Sequence, residues 1–330
     1  MTIQTIDIKG LYGKFDFHWN LAQNVNILAG RNGSFKSTIL NVLRTLLDGK
    51  IPLDYYNLNS VEIGFNEGYT LFYRDVRDSL LNIQKMAEED DAIHELVDRI
   101  SPDYQGKDEK QLSSNYIHAT ITYTLKDGER VDHKGFLKKV NSNFVSTFDR
   151  PIEEDDEKGK SKLDIALDKL QSEYAYYLSD LSKQLTNLIS KNNNSINSSD
   201  IANIYTKRNM FLNTIDKSFE STGKKINRDN SKISFITDDG SDLDTTNLSS
   251  GEKQLLIILL TVLCERDAKF ILMMDEPEIS LHLEWQKTLI GDVLSLNPNC
   301  QIILTTHSPG IIFNGWENYV SETSDITTAK

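Results

Sequence analysis

Residues 24–29 read NVNILA and run directly into Gly30-Arg31-Asn32-Gly33-Ser34-Phe35-Lys36-Ser37-Thr38. A run of this kind, closed by a glycine, reads as a buried strand. From Ser37 the pattern lengthens to a helical period, with Ile39, Leu40, Leu43, Leu46 and Leu47 on one stripe. Strand, glycine-bearing turn and helix form the setting in which a G-x-x-x-x-G-K-[ST] loop holds phosphate. The first turn of such a helix offers unpaired N–H groups and a positive dipole end. Lys36 has the reach for β- and γ-phosphates, and Ser37 carries a hydroxyl suited to Mg2+. Phe35 stands where a second glycine is usual. A side chain there either forces a different backbone angle or points away from the phosphates.

Outward from this loop, residues 2–9, 15–21, 60–66, 69–74, 116–125 and 143–148 alternate like strands, and 77–100 has a helical pattern. Residues 151–160 (PIEEDDEKGK) break the periodicity and read as a solvated linker. Leu163, Leu167, Leu170, Tyr174, Tyr177, Leu181, Leu185 and Leu188 then recur at helical spacing. An Asn/Ser-rich turn at 192–199 separates them from a second amphipathic segment, 201–220. Residues 163–220 therefore predict an antiparallel helical hairpin, roughly 40 Å long at the α-helical rise. The last hundred residues predict a strand near 232–237, a helix at 250–265, a strand at 269–274, a helix at 282–296 and a strand at 301–305. The expected fold class is α/β, a mixed sheet with flanking helices and an inserted hairpin. Its expected parts are residues 1–150, carrying the phosphate loop, 151–230 as linker and hairpin, and 231–330 as the remainder of the phosphate-binding domain.

The chain has 330 residues, 38% hydrophobic and 9% aromatic, enough for a substantial core. Its 36 basic and 49 acidic residues give a net charge of −13. That balance argues against a surface dominated by nucleic-acid binding, which needs clustered Lys and Arg. No apolar run approaches the ~18–20 residues of a spanning helix, and the start lacks signal-peptide character, so a cytoplasmic protein without a membrane partner is expected. Cys264 and Cys300 read as core thiols.

Three further segments carry chemistry. Residues 270–278 (FILMMDEPE) form a strand that ends in Asp275 and Glu276, delivering two carboxylates to the carboxyl edge of a sheet. Asp275 suits Mg2+, and Glu276 suits the polarising of an attacking water. Residues 248–254 (LSSGEKQ) precede a strongly apolar helix, with Ser249 or Ser250 as its N-cap. Thr305-Thr306-His307-Ser308-Pro309 follows the last strand.

In their chain order (phosphate loop, 248–254, 270–278, 305–309), the four segments resemble the ATP-binding-cassette class of P-loop ATPases, and within it the soluble branch that includes RecF, SMC-type proteins and OLD-family nucleases. The likeness covers about 1–48 and 232–312, and the run Glu276-Pro277-Glu278-Ile279-Ser280-Leu281-His282 is especially similar to the OLD-like branch. The resemblance implies ATP and Mg2+ as cofactors. It implies that Gly30, Asn32, Gly33, Ser34, Lys36, Ser37 and Thr38 bind the nucleotide, with Ser37 and Asp275 at the metal. Glu276, His307 and Lys36 would be catalytic, His307 through the γ-phosphate. Ser249 and Gly251 would reach the γ-phosphate of the opposite subunit in a head-to-tail dimer or higher oligomer.

The glutamine that usually follows a mid-domain strand is missing, and Ser146, Thr147 or Asp149 would substitute for it. Tyr12 or Phe15 would stack on adenine. Only 23 residues follow His307, too few for an appended nuclease domain, so any effector is expected on another chain. By resemblance to the ATPases of bacterial anti-phage systems, the leading expectation is an ATP-hydrolysing switch or sensor that controls a separate nuclease or toxin. The alternatives are a RecF/SMC-like ATPase that clamps DNA, using Lys207, Arg208, Lys224, Lys225 and Arg228, and a non-hydrolysing ATP-locked scaffold.

Overall fold

The computed structural model describes residues 1–50, 53–75, 120–146, 161–191 and 197–329. The expected helix at 77–100 and the acidic linker at 151–160 lie outside these residues. The chain divides into two units. One comprises Met1–Leu21, Asn41–Val140 and Ser324–Lys330, the other Ala22–Leu40 and Asn141–Thr323.

The first unit is built on an antiparallel sheet. Its strands are β1 (Ile3–Leu11), β2 (Phe15–Asn20), β4 (Ser60–Phe65), β5 (Tyr69–Asp75), β6 (Thr120–Lys126), β7 (Glu129–Val131) and β15 (Thr327–Ala329), in the spatial order β15-β2-β1-β4-β5-β6-β7. Period-two burial sets the register: Ile6 pairs with Ile63 and Ile8 with Val61, and all four side chains are buried. On β5 and β6, Phe72 and Tyr123 are cross-strand partners whose rings stack at 4.9 Å.

The second unit carries the phosphate loop. Strands β3 (Val25–Ala29), β8 (Ser142–Ser146), β12 (Phe270–Asp275), β13 (Cys300–Thr305) and β14 (Val320–Glu322) form a parallel sheet in the order β14-β3-β13-β12-β8. Every residue of β3, β12 and β13 is buried, as required of strands covered on both faces. The parallel strands and the antiparallel ones thus occupy separate sheets. Helix α1 (Lys36–Leu47) follows β3 as expected; short α2 (His133–Leu137), which belongs to the first unit, is capped by Asp132.

The predicted hairpin is present as α3 (Lys162–Lys191) and α4 (Ser198–Phe219). Tyr174 on the first helix meets Arg208 and Phe211 on the second, the pairing of an antiparallel arrangement. Its base is not a free arm. Leu163, Leu167, Leu170, Tyr174, Tyr177 and Leu181 join Phe211, Leu212, Ile215 and Phe219 in the same core as α5 (Ser250–Cys264) and α6 (Leu283–Leu296). Beyond Leu181 the seam is only half-buried, at Leu185, Leu188, Ile204 and Tyr205. Helix α5 is apolar on all sides from Leu255 to Leu263 apart from Thr261, and all of those residues are buried, which fits a helix enclosed by its neighbours.

The expected strand at 232–237 proves shorter, β10 (Phe235–Thr237). It is the middle of a small antiparallel sheet with β9 (Lys224–Ile226) and β11 (Asp242–Leu243). Strands of two or three residues are too short for periodicity to register. Both cysteines are free thiols, Cys300 buried and Cys264 half-buried, and desolvation pushes Cys264 up to about 12.

Candidate functional site

Three parallel strands end side by side: β3 runs into Gly30, β12 into Glu276 and β13 into Thr306 and His307. A parallel sheet exposes its carboxyl edge at such a point, and ligands of α/β proteins collect there. A pocket of about 370 Å³ is lined by Asn32, Gly33, Ser34, Phe35, Lys36, Ser37, Thr38 and Glu276.

Lys36 is 4% exposed and folds back over its own loop, donating to the carbonyls of Gly30 (3.2 Å) and Arg31 (3.5 Å). Its Nζ also donates to His307 Nε2 at 2.5 Å and stands 3.5 Å from Glu276 Oε1. His307 Nε2 and Glu276 Oε1 are 3.3 Å apart. One ammonium, one imidazole and one carboxylate, drawn from three segments, therefore meet at a single point.

Beside them Ser37 Oγ donates to Asp275 Oδ1 (2.8 Å), and that oxygen also accepts from Thr305 Oγ1 (2.6 Å). The Thr305 hydroxyl in turn accepts from Glu276 N–H (3.1 Å). Thr305 thus fixes both carboxylate residues, a task missed in the sequence; the one available signal was a hydroxyl at the end of an otherwise apolar strand. Glu276 itself has φ 45°, so the chain turns sharply as it leaves β12.

The phosphate loop answers the question posed by Phe35. Its φ is 68°, so the residue retains the left-handed backbone a glycine would take. A left-handed conformation costs a non-glycine residue about 1–2 kcal/mol. The Phe35 side chain is half-buried in the pocket wall and does not open the loop. The residues fit a magnesium nucleotide. Ser34 Oγ is buried in the same loop without a hydrogen-bond partner. Ser37 Oγ and Asp275 Oδ1 form a hydroxyl–carboxylate pair of the hard oxygen type that Mg2+ takes.

Ser249 caps α5. Its hydroxyl accepts from Glu252 N–H (3.3 Å), and its N–H donates to Glu252 Oε2 (2.9 Å), a capping box. Gly251 is buried against the turn after the carboxylates, where a Cβ would collide with the Ser280 carbonyl oxygen. The expected substitutes for the missing glutamine are not placed: Thr147 and Asp149 lie outside the described residues, and only the backbone of Ser146, at the end of β8, is described. Of the two adenine candidates, Tyr12 is 40% exposed with its ring against Tyr56 (6.4 Å between centroids), and Phe15 opens β2 half-buried. Both belong to the first unit.

Residues 25–312 match the family described as "AAA domain, putative AbiEii toxin, Type IV TA system". The chain belongs to that family. This AAA-domain chain is similar to a "Retron Vc95 probable ATPase" of Vibrio cholerae serotype O1 biovar El Tor, 29% identical over 224 residues. Those residues are 62% of this chain and 43% of the relative, so the chain spans less than half of that protein. Among solved structures it is similar to an SMC head bound to the C-winged helix domain of ScpA. That likeness has a TM-score of 0.53 and 13% identity, covering 95% of this chain and 92% of the other. An SMC head domain from Thermotoga maritima matches with a TM-score of 0.48 at 14% identity, over 94% and 91% of the two chains. The AAA-domain chain therefore has the P-loop ATPase fold of SMC heads. No described helix is long and apolar enough to cross a membrane.

Proposed function

We propose that the chain is an ATP-hydrolysing switch or sensor, whose ATP-bound dimer holds or releases a separate effector protein in bacterial anti-phage defence. The observation that carries this reading is the meeting of Lys36, Glu276 and His307 beside the Ser37–Asp275 pair. Lys36 and the N–H groups of the loop hold the phosphates, and Ser37 and Asp275 hold Mg2+, which neutralises charge on the phosphates. Glu276 orients and deprotonates the attacking water, and His307 contacts the γ-phosphate. Ser249 and Gly251 of a second copy complete the site, so that ATP favours the closed dimer. The hairpin of α3 and α4 serves as a docking surface for the effector. The defence role is supported by the family and by the retron relative, of which this chain spans 43%.

The DNA-clamp reading draws on the SMC-head fold but finds less support in the basic residues. Lys207 donates to Ser295 O (3.1 Å), Arg208 to Tyr174 Oη (3.2 Å), and Lys224 and Arg228 are paired with Glu252 and Asp216. The ATP-locked scaffold is favoured by the strained backbone at Phe35.

One experiment separates hydrolysis from locking: Mg2+-dependent ATP turnover by the native protein and by Glu276→Gln, with ATP binding measured alongside. Turnover lost in the variant by about a hundred-fold or more, with binding kept, supports the ATPase. Binding without turnover in both proteins supports the lock.

A further inference from the structure

Glu278 lies two residues beyond the proposed catalytic carboxylate, in the single turn Pro277–Ile279. Its side chain turns back across the carboxyl edge of the sheet, and Oε1 accepts the backbone N–H of His307 at 2.7 Å. Its Oε2 is buried without a hydrogen-bond partner. A second bracket lies beside the first. Gln286 Nε2 donates to the carbonyls of Glu278 (3.3 Å) and Leu281 (2.8 Å), while its Oε1 accepts from Ser308 Oγ (2.6 Å). The segment 307–308 is thereby fixed to the 276–281 turn at adjacent residues. A carboxylate accepting a backbone N–H is a charge-assisted, directional contact, and it is made to the residue whose ring meets Lys36 and Glu276.

We propose that Glu278 is a positioning residue: through the His307 N–H it sets where the His307 imidazole stands relative to Glu276 and the phosphate loop. This rests on the ATPase reading for its effect on turnover, but the geometric claim stands on the hydrogen bond alone. A side chain that holds a reacting group in place acts on the chemical step, because small misplacements are amplified in rate.

The test uses the full chain in four single variants, Glu278→Gln, Glu278→Ala, Glu278→Met and His307→Ala, and in the double variant that joins Glu278→Ala to His307→Ala. The glutamine keeps an acceptor for the His307 N–H; the methionine keeps the volume without one, which covers the case in which the alanine variant melts early. Histidine ring signals are followed by NMR in protein labelled at its six histidines, with the His307 signal assigned by its loss in His307→Ala. The expected result is a displaced His307 signal in Glu278→Ala and Glu278→Met and a native one in Glu278→Gln. Turnover should fall at least about ten-fold in the first two with ATP affinity unchanged, and stay near native in Glu278→Gln. Combined with His307→Ala, the loss of Glu278 should cost little more, since both changes then remove one function. A native His307 signal in both Glu278→Ala and Glu278→Met, or fully multiplicative losses in the double variant, overturns the proposal. A displaced signal in a protein whose native form does not turn over ATP overturns the ATPase reading and leaves the positioning role standing.

Discussion

Both carboxylate oxygens of Glu252 lie against the Lys224 ammonium, at 2.7 and 2.9 Å. Glu252 sits in the first turn of α5 and Lys224 opens the strand that follows the hairpin. The next residue, Lys253, pairs with Asp164 in the first turn of α3 at 2.7 Å. Two consecutive residues of the 248–254 segment therefore pair with residues at the two ends of the hairpin. A force on the hairpin would reach Ser249 and Gly251 through these pairs.

Breaking the first pair should be costly. Lys224→Met leaves Glu252 buried without its cationic partner, and denaturant unfolding should show a loss of about 3 kcal/mol. Burial raises the Glu252 carboxyl, but the Lys224 ammonium, the Ser249 N–H and the Thr222 and Ser249 hydroxyls outweigh it and hold it below its ordinary 4.5. A lowered folded-state value means that the contribution is complete above pH 4.5 and fades as pH falls below it. Glu252→Gln should therefore be less stable at neutral pH yet lose less stability on acidification. Parallel pH profiles for the two proteins would refute this.

Phe35 offers a test of backbone strain at φ 68°. Phe35→Gly and Phe35→Ala both remove the ring, but only glycine relieves the left-handed backbone. The glycine variant should be more stable than the alanine one by about 1 kcal/mol, and its ATP turnover should equal or exceed that of the native chain. Equal denaturation midpoints would show that the loop carries no strain.

At Gly251 an added methyl group would meet the Ser280 carbonyl oxygen. Gly251→Ala should cost about 1–3 kcal/mol in thermal or denaturant unfolding. Turnover should fall as well, because Ser280 ends the turn that begins at Glu276. An unchanged melting temperature would mean that the turn yields freely.

Gln254, in the same segment, is fully buried, and neither amide atom has a partner. A buried amide without partners pays its desolvation in full. Gln254→Met, close in shape, should stabilise the chain by about 1 kcal/mol in denaturant unfolding; a loss of stability would refute the reading.

The strand–loop–helix at 24–47 and the carboxylate strand at 270–276 were legible because their signals are local. Apolar runs, helical stripes and a lysine–serine pair lie within a few residues of one another. The hairpin was legible for the same reason, at Leu163 through Phe219. What its seam did not reveal was that the lower half of α3 lies in the main core while the half beyond Leu181 does not. The spacing is alike on both sides of Leu181, and only the presence of α5 decides which turns are covered. The strands β9, β11, β14 and β15 were invisible because two or three residues hold no period, and their pairing comes from distant partners.

A phosphate loop, two strand-end carboxylates and a capped apolar helix are each written in contiguous residues and follow from local pattern alone. Only folding brings Lys36 to His307, 271 residues away, sets Thr305 against Asp275 and Glu276, and sets Glu278 against the His307 backbone. Those contacts depend on strand order. Laying β3, β13 and β12 side by side brings three distant strand ends to one edge, and no local pattern records which neighbours a strand will find.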